Sequence, residues 1–258
     1  MRNACLFFLV FALGGFCKVS AQGIAHEIGV FAGPVAFQSD YGQRGDMKST
    51  LGNTGFGFGI VHYINFSYDA DARRFNNYSY FNDHFKVRSE LSYNKTEFQH
   101  YGKWVDDSRT SVTANQLRNM RGSSAITNVG MQLEFHPISI RDFSLATGIF
   151  APFVTLGAQY SHFKPEAYST TGPLTILNTP EKYRGATSNK SDYTWSTVAS
   201  VGTRYKLTER SDLMVDLRGQ YFFSNWVDGL NPDEKRYPEN KSNDWLVGLN
   251  FGYIYYIE

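Results

Sequence analysis

Cysteine is almost missing from this chain: there are two in 258 residues, Cys5 and Cys17. Both fall in an N-terminal stretch built like an export leader. It has a charged start at Arg2, an apolar run from Ala4 to Phe16, and the small-residue pattern Val19-Ser20-Ala21 ahead of Gln22. Cleavage there leaves residues 22–258 without a thiol, which excludes disulfides, thiol catalysis and cysteine metal sites. Phe16 is too large to precede a lipidated Cys17, so a lipid anchor is not expected. An excess of either charge is also lacking. Loss of Arg2 and Lys18 with the leader lowers the basic count from 25 to 23 against 24 acids, a balance of −1. A near-neutral chain gives no argument for a nucleic-acid partner. Past the leader no stretch of about 18 apolar residues occurs, so no transmembrane helix is expected. No His-Glu-x-x-His pattern offers zinc ligands and no glycine-rich dinucleotide loop opens a helix, so no cofactor is expected.

What is plentiful is aromatic residues and glycine: 21 Phe, 17 Tyr, 4 Trp and 23 Gly. An exported, aromatic-rich chain with no helical span leaves two classes, a secreted β-sandwich and an outer-membrane barrel. The terminal segment separates them. Trp245, Val247, Leu249, Phe251, Tyr253, Tyr255 and Ile257 form one apolar row, while Leu246, Gly248, Asn250, Gly252, Ile254 and Tyr256 form a smaller, more polar one. Period two means a strand, and bulky residues opposite Gly and Asn fit a wall with lipid outside and a confined interior inside.

Eight such segments follow one another, at about 25–36, 55–66, 84–97, 125–137, 147–162, 193–207, 212–224 and 244–257. The even count lets an antiparallel sheet close on itself, and the lengths suit tilted membrane spans. In the seventh segment Leu213, Val215, Leu217, Tyr221 and Phe223 oppose Asp216, Arg218 and Gln220. The fourth sets Val129, Met131, Leu133 and Phe135 against Asn128, Gly130, Gln132 and Glu134, and the third points Arg88, Glu90, Ser92 and Asn94 inward. The first two segments are glycine-rich and their facing stays open. Pro152 in the fifth implies a bulge or weakened pairing.

The connections alternate as well. Those at 37–54, 98–124, 163–192 and 225–243 are long and hydrophilic; 136–146 and 208–212 are short, and 67–83 breaks the rule by being long. With the N-terminus on the turn side, the long connections face the exterior. The expected fold is all-β: an eight-stranded antiparallel transmembrane (outer-membrane) β-barrel with a side-chain-filled lumen, made by residues 22–258 after a leader at 1–21, with no periplasmic domain after Glu258.

Eight strands enclose a space that side chains fill. Arg88, Glu90, Gln132, Glu134, Asp216 and Arg218 are therefore expected to form a paired polar network in the lumen, because unpaired buried charges are expensive. Trp245, Val247, Leu249, Phe251, Tyr253 and Tyr255 are the expected lipid face of the closing strand. An enzymatic alternative rests on Ser161 and His162 at the outer end of the fifth strand and on His100 in the loop after the third, although no nucleophilic constellation surrounds them. Asp228-Gly229-Leu230-Asn231-Pro232-Asp233-Glu234 offers hard oxygens for Ca²⁺, with a solvated turn-rich loop as the simpler reading. Arg44-Gly45-Asp46 carries little weight in an exposed glycine-rich loop.

Three strings resemble a family of exported barrels from Bacteroidota, chiefly flavobacteria. They are His26 to Gly33 (HEIGVFAG), Tyr80 to Phe98 (YFNDHFKVRSELSYNKTEF), and Ser211 to Pro232 followed by the terminal SNDWLVGLNFGYIYYIE. More distantly, the opening HEIGVF-x-G and the late DG-x-NP and SNDW are similar to PorG, the small barrel of the type IX secretion system. Gly33-Pro34-Val35-Ala36 departs from that pattern. With a filled lumen, no soluble domain and no catalytic constellation, the expected function is a non-catalytic scaffold or accessory subunit of an envelope machine, in type IX secretion or outer-membrane protein assembly. Its expected partners are outer-membrane lipids and other envelope proteins, with 67–83 as the inner contact and 163–192 as the outer one. A rim enzyme and a surface-binding module built on the long loops are the alternatives.

Overall fold

The computed structural model describes residues 25–43, 45–66, 79–240 and 243–257. The leader, Arg44 and most of the 67–83 connection lie outside that range. Eight strands run in chain order: β1 (Ala25–Gln38), β2 (Thr54–Asn65), β3 (Phe85–Gln99), β4 (Met120–Phe135), β5 (Phe150–Ser169), β6 (Asp192–Thr208), β7 (Ser211–Phe222) and β8 (Trp245–Ile257). Each pairs antiparallel with the next, and β8 returns to β1 from His26↔Ile257 to Gln38↔Trp245, so the sheet closes into a barrel.

The alternation in the sequence becomes an inside and an outside. Leu156 is 63 % exposed beside Thr155 at 4 %, and Phe251 is 55 % exposed one residue from Asn250 at 3 %. Ile60, Leu91, Met131, Val201, Leu217 and Leu249 continue the outward apolar band around the barrel. So large an exposed apolar surface is the mark of a wall in contact with lipid. Aromatic rings edge the band at both ends. On the long-loop side Tyr160 packs on Trp195 and Tyr193 at 5.2 and 5.6 Å between ring centres, and Tyr221 meets Phe223 at 5.7 Å. On the other side Phe85 meets Phe135 at 5.0 Å and Phe150 meets Tyr205 at 4.9 Å. From Phe150 to Tyr160 the strand climbs about 33 Å, or about 25 Å across the membrane at a tilt near 40°. That matches the hydrocarbon span of an outer-membrane barrel.

Two strands run further than their sequence pattern indicated. β4 begins at Met120, not 125, and β5 continues to Ser169, not 162. The outer parts of these strands stand above the lipid, where the inner face packs on apolar residues such as Phe163 and Ala167 and the outer face carries Lys164 and Glu166, so the apolar-out, polar-in contrast that marks a membrane stave is lost. β5 rises nine residues past Tyr160, about 20 Å beyond the membrane. Its last segment pairs with β4 alone, from Met120↔Ser169 to Ala125↔Lys164. Where β6 has not yet begun, the Asn189 amide takes its place, accepting from the Ala167 N–H at 2.8 Å and donating to the Ala167 carbonyl.

The proline in β5 produces no bulge. Pro152 pairs with Thr203 of β6 and lies two residues before the first β4 partner, Val154↔Phe135, so the missing N–H falls where only one neighbour is present. The register shift in this sheet lies between Lys206 and Thr208, at the tight turn into β7. A second irregularity marks the closing seam: the β1–β8 ladder omits Gly33 and Pro34, between Ala32↔Phe251 and Val35↔Gly248.

Among the described residues there are four short α-helices: α1 (Met47–Gly52), α2 (Tyr80–His84), α3 (Val112–Asn119) and α4 (Ile140–Leu145). Helices α1 and α3 belong to the outer connections at 39–53 and 100–119, while α2 and α4 lie at the inner end. The remaining outer connections are 170–191 and 223–244.

Candidate functional site

The lumen is filled in layers, and its charges balance. Lys86, Arg88, Arg204, Lys206 and Arg218 face Glu27, Glu90, Glu134, Asp212 and Asp216, five cations against five carboxylates, all buried. In the middle layer Arg88 reaches Asp216 at 3.1 Å and Glu90 at 3.0 Å, and Arg218 donates to Glu90 and to Gln159. Gln132 and Gln159 donate to the same Glu90 carboxylate at 2.8 and 3.0 Å, and Asn250 donates to Asp216 at 2.7 Å. The inner layer is centred on Arg204, which bridges Glu27 at 2.6 Å and Glu134 at 2.7 Å while its guanidinium lies 4.2 Å from the centre of the Tyr63 ring. Lys86 adds a contact to Glu27 at 2.6 Å, and His136 Nε2 one to Glu134 at 2.9 Å. The Tyr256 hydroxyl donates to Asp212 at 2.7 Å under the ammonium of Lys206.

The six lumen residues expected from sequence all sit inside, and five of them share the middle network. Glu134 belongs to the inner one. Glu27, Lys86, Arg204, Lys206 and Asp212 were not among those expected. Glu27 opens a strand whose facing was obscured by Gly29 and Gly33, and Arg204 and Lys206 lie where β6 nears its turn. Counting back by twos from Asp216 to Asp212, or inward along β6 from Ser200, would have found three of them. On β8, Trp245, Val247, Leu249, Phe251, Tyr253 and Tyr255 all lie on the outer face, half-buried at Trp245 and Val247 and exposed at the other four. Gly252, on the inner face, leaves the space that Met214 and Phe31 fill: a Cβ there would meet the Met214 methyl at 2.9 Å.

The rim residues are not brought together as a catalytic group. Ser161 and His162 are neighbours in β5, and alternation sends them to opposite sides of the wall. Ser161 lies inside, donating to Asn128 at 2.7 Å, while His162 packs outside on Tyr193 at 4.7 Å. The 228–234 segment, read from sequence as a solvated turn-rich loop with calcium as the lesser alternative, is buried at its start and exposed at Asp233 and Glu234. Asp228 is fully buried, and its two carboxylate oxygens accept from the N–H groups of Asp40 at 2.7 Å and Leu230 at 2.8 Å. Among the described residues no group of three or more His, Cys, Asp or Glu is placed to hold a metal ion. Of the tripeptide at 44–46, Asp46 caps α1, accepting from Ser49 N–H at 3.2 Å.

The part least visible in the sequence is the outer end. Above the polar lumen lies an apolar plug of Phe37, Phe98, Ile126, Phe163, Phe222 and Leu246, continued upward by Tyr41, Tyr183, Val227 and Leu230 from the outer connections. Phe37 contacts Phe98 at 5.2 Å and Phe222 at 5.9 Å. The four outer connections lock together over this plug. Asp228 joins the fourth to the first through Asp40, and the Tyr183 hydroxyl joins the third to the first by donating to the Asp40 carbonyl at 3.0 Å. The third and fourth share a small ladder, with Ser188 N–H on Gly229 O and Asn231 N–H on Ala186 O, both at 2.9 Å. Gln116 of α3 donates to Leu177 O at 2.7 Å, tying the second to the third. Arg118 fixes the 105–109 turn by donating to three of its carbonyls, those of Val105, Asp106 and Arg109.

This crown encloses a cavity of about 510 Å³ with walls from all four connections: Asp40, Gly42 and Gln43; His100, Tyr101, Trp104, Val105, Thr113 and Leu117; Pro180 to Tyr183; and Tyr237 and Asn240. His100, one of the residues considered for rim catalysis, is buried in its wall between Tyr41 and Tyr183. Its Nδ1 accepts the Gly42 N–H at 3.0 Å, so the neutral ring carries its proton on Nε2, which has no partner among the described residues. Burial, reinforced by the charges of Lys182 and Arg121, holds the His100 pKa down at about 3, so the ring is neutral at physiological pH. Burial, with Asp228 nearby, likewise raises the Tyr41 phenol well above its ordinary range.

The sequence matches no known protein-family model and no curated protein. Solved structures similar to the chain include a major outer membrane protein from Thermus thermophilus (13 % identity, 91 % of this chain and 99 % of that one, TM-score 0.47). Neisserial surface protein A is another (14 %, 91 % and 99 %, 0.45), as is the N-terminal β-barrel domain of Pseudomonas aeruginosa OprF (13 %, 91 % and 98 %, 0.38). The fold of this chain stands on its own strand pairing, which defines an eight-stranded membrane barrel.

Proposed function

We propose that the chain is a non-catalytic, integral outer-membrane barrel whose outer crown is a binding surface. The observation that carries this reading is the cavity of about 510 Å³ formed jointly by all four outer connections, within the size range of small-molecule sites. Loops that served only to join strands would have no reason to interlock, whereas a binding surface gains affinity from being ordered in advance. The filled lumen argues against transport through the barrel, and the separation of Ser161 from His162 argues against rim catalysis. Labelling provides the test, because residues 22–258 hold no cysteine. A single Thr113→Cys is expected to react with a membrane-impermeant maleimide on intact cells, and Leu145→Cys only after permeabilisation. The opposite pattern would remove the surface role.

A second reading, a scaffold or accessory subunit of an envelope machine such as type IX secretion or barrel assembly, is favoured by one feature of the inner end. Helices α2 and α4 lie together there, tied by Asp83, which accepts from Ser139 Oγ at 3.0 Å and Arg141 N–H at 3.2 Å. They present Leu145, Tyr80 and Phe81 at 83, 59 and 45 % exposure. The resemblance of the opening HEIGVFAG and the late SNDW to flavobacterial and PorG-like barrels favours the same reading. Purification from native membranes in mild detergent is expected to bring down envelope partners that Phe81→Asp releases; a barrel that migrates alone would count against it.

A further inference from the structure

The outer wall changes character where β3, β4 and β5 leave the membrane. On β3 the outer aromatic edge is Tyr93, packed on Phe58 at 5.6 Å between ring centres, and on β5 it is Tyr160. The next outward side chain of β3 is Lys95. Its ladder partner is Ala125 of β4, and on the far side Ala125 pairs with Lys164 of β5. Both lysines are exposed. Their Cα atoms stand about 10 Å apart, two strand spacings, across a floor that carries only a methyl group. Lys95 lies two residues past Tyr93, about 5 Å beyond the aromatic edge at a tilt near 40°, and Lys164, four residues past Tyr160, lies about 10 Å beyond it. A headgroup layer is about 5–8 Å thick, and long lysine stems let both ammonium groups reach it. Lys95 makes no ion pair among the described residues, and Lys164 has an exposed contact with Glu166 at 3.5 Å, a kind of surface pair that contributes little. Glu97 and Glu166 stand one row further from the membrane, on either side of Ser123. At the outer ends of the other five strands the outward residues are Gln38, Thr54, Tyr193, Phe223 and Trp245, none of them charged. The cationic row belongs to this sector of the wall.

Below that row a groove of about 370 Å³ opens in the same wall, within the apolar band. Ser89 is its floor. Its ladder partners His62 and Met131 flank it, and Ile60, Leu91 and Val129 form the row above. Ser89 lies six residues inward of Lys95 on β3, about 15 Å lower in the membrane. That is about half the hydrocarbon thickness, the depth reached by the chains of one leaflet. A ligand that fits both features has an anionic head at the membrane boundary and a hydrocarbon chain beneath it. We propose that this sector of the wall is a binding site for a phosphorylated, acylated lipid of the outer leaflet. Lys95 and Lys164 flank its phosphate over Ala125, and one of its chains lies in the groove over Ser89. Lysine suits this task, since a point charge on a flexible stem meets a phosphate without a fixed planar geometry. The site is separate from the crown, so it stands whether or not the crown binds a ligand.

Native mass spectrometry of the full mature barrel, released from a non-ionic detergent, provides the test. The probes are bisphosphorylated hexa-acyl lipid A, the same lipid with its phosphates removed, and inorganic phosphate, each at micromolar concentration. One lipid A per barrel is expected to remain bound, the dephosphorylated lipid to bind about tenfold more weakly or worse, and inorganic phosphate not to bind. The double variant Lys95→Gln/Lys164→Gln is expected to weaken lipid A about thirtyfold, from a contribution near 1 kcal/mol for each lysine at a membrane surface. Ser89→Trp, which fills the groove and leaves the lysines, is expected to weaken it about tenfold, the loss of roughly two buried methylenes. Lys48→Gln/Lys235→Gln removes the same charge from the outer connections and is expected to change nothing. Each variant is first shown to keep the wild-type shift between boiled and unboiled migration, so a loss of binding reports the site and not the barrel. Equal binding of the two lipids, or equal losses in the two double variants, would overturn the phosphate site. Inorganic phosphate bound as tightly as lipid A, or lipid A binding indifferent to Ser89→Trp, would overturn the groove as the seat of the chain. A lipid-free dimer that Ser89→Trp separates would put a second copy of the barrel in the groove and overturn the lipid.

Discussion

Arg204 is the most heavily committed side chain in the lumen, with Glu27 at 2.6 Å, Glu134 at 2.7 Å and the Tyr63 ring beneath it. Arg204→Ala leaves two buried carboxylates without their main counter-charge, and breaking a buried pair costs about 3–5 kcal/mol. Urea unfolding in detergent should show a loss of that size, and a cost below about 1 kcal/mol would mean water enters the lumen freely. His100 makes a pH-dependent contribution of opposite character. In the unfolded chain the ring takes up a proton near its ordinary value of 6.5; in the crown it does so only at about 3. Between those values the unfolded state binds more protons, so stability is complete above about pH 6.5 and falls as pH drops towards 3, by about 1.4 kcal/mol per unit. Between pH 7 and pH 5 the crown should lose about 2 kcal/mol, read from exchange rates at Gly42 and Tyr183, and His100→Phe should flatten that dependence. The mid-lumen charges were legible because each alternated with a plain hydrophobe, as Asp216 and Arg218 do around Leu217. Glu27 and Arg204 were not, because Gly, Ala and Thr on their strands blur the difference between faces.

At the scale of the strand, the outward row of β8 lies along the membrane span, with Leu249 near its middle between Trp245 and Tyr253. Leu249→Arg should cost about 2–4 kcal/mol, the penalty of a cation at the midplane of a barrel wall, and Asn250→Arg should fail differently, by overfilling the lumen. Comparison of unfolding midpoints in liposomes checks both. The seam between β1 and β8 is more delicate. A Cβ at Gly33 would stand 1.9 Å from the Leu249 carbonyl oxygen, backbone that cannot move aside without opening the ladder next to Pro34. Gly33→Val should therefore raise the fraction of chain that migrates as unfolded on unboiled gels, while the same change at Gly219, whose added Cβ would meet nothing nearer than the Ala199 carbonyl at 4.0 Å, should not. Strand number, the facing of the third, fourth and seventh strands and the β8 row were readable from period two; the facing of β1 and β2 was not. The upper ends of β4 and β5 were not, since above the lipid no hydrophobic contrast marks the outer face.

For the molecule as a whole, five cations and five carboxylates paired across the lumen, with Phe37, Phe98 and Phe222 above them, leave no continuous aqueous path. Planar-bilayer recordings should show no steady conductance, and stable porin-like steps would contradict the filled interior. On the proposed reading the barrel is a rigid post that presents a binding surface at its outer end. That the outer end is a folded crown was beyond the reach of sequence: its contacts, Asp228 to Asp40 and Tyr183 to Asp40, join residues 188 and 143 positions apart, and nothing local in a polar loop announces such a partner. Hydrogen exchange of the mature barrel in detergent tests this most directly. The amides of Asp40, Gly42, Ser188, Leu230 and Asn231 should exchange as slowly as those of the strands beneath them, with the turn at 209–210 exchanging fast. Complete exchange of all four outer connections within seconds would show free loops and contradict a preformed binding crown.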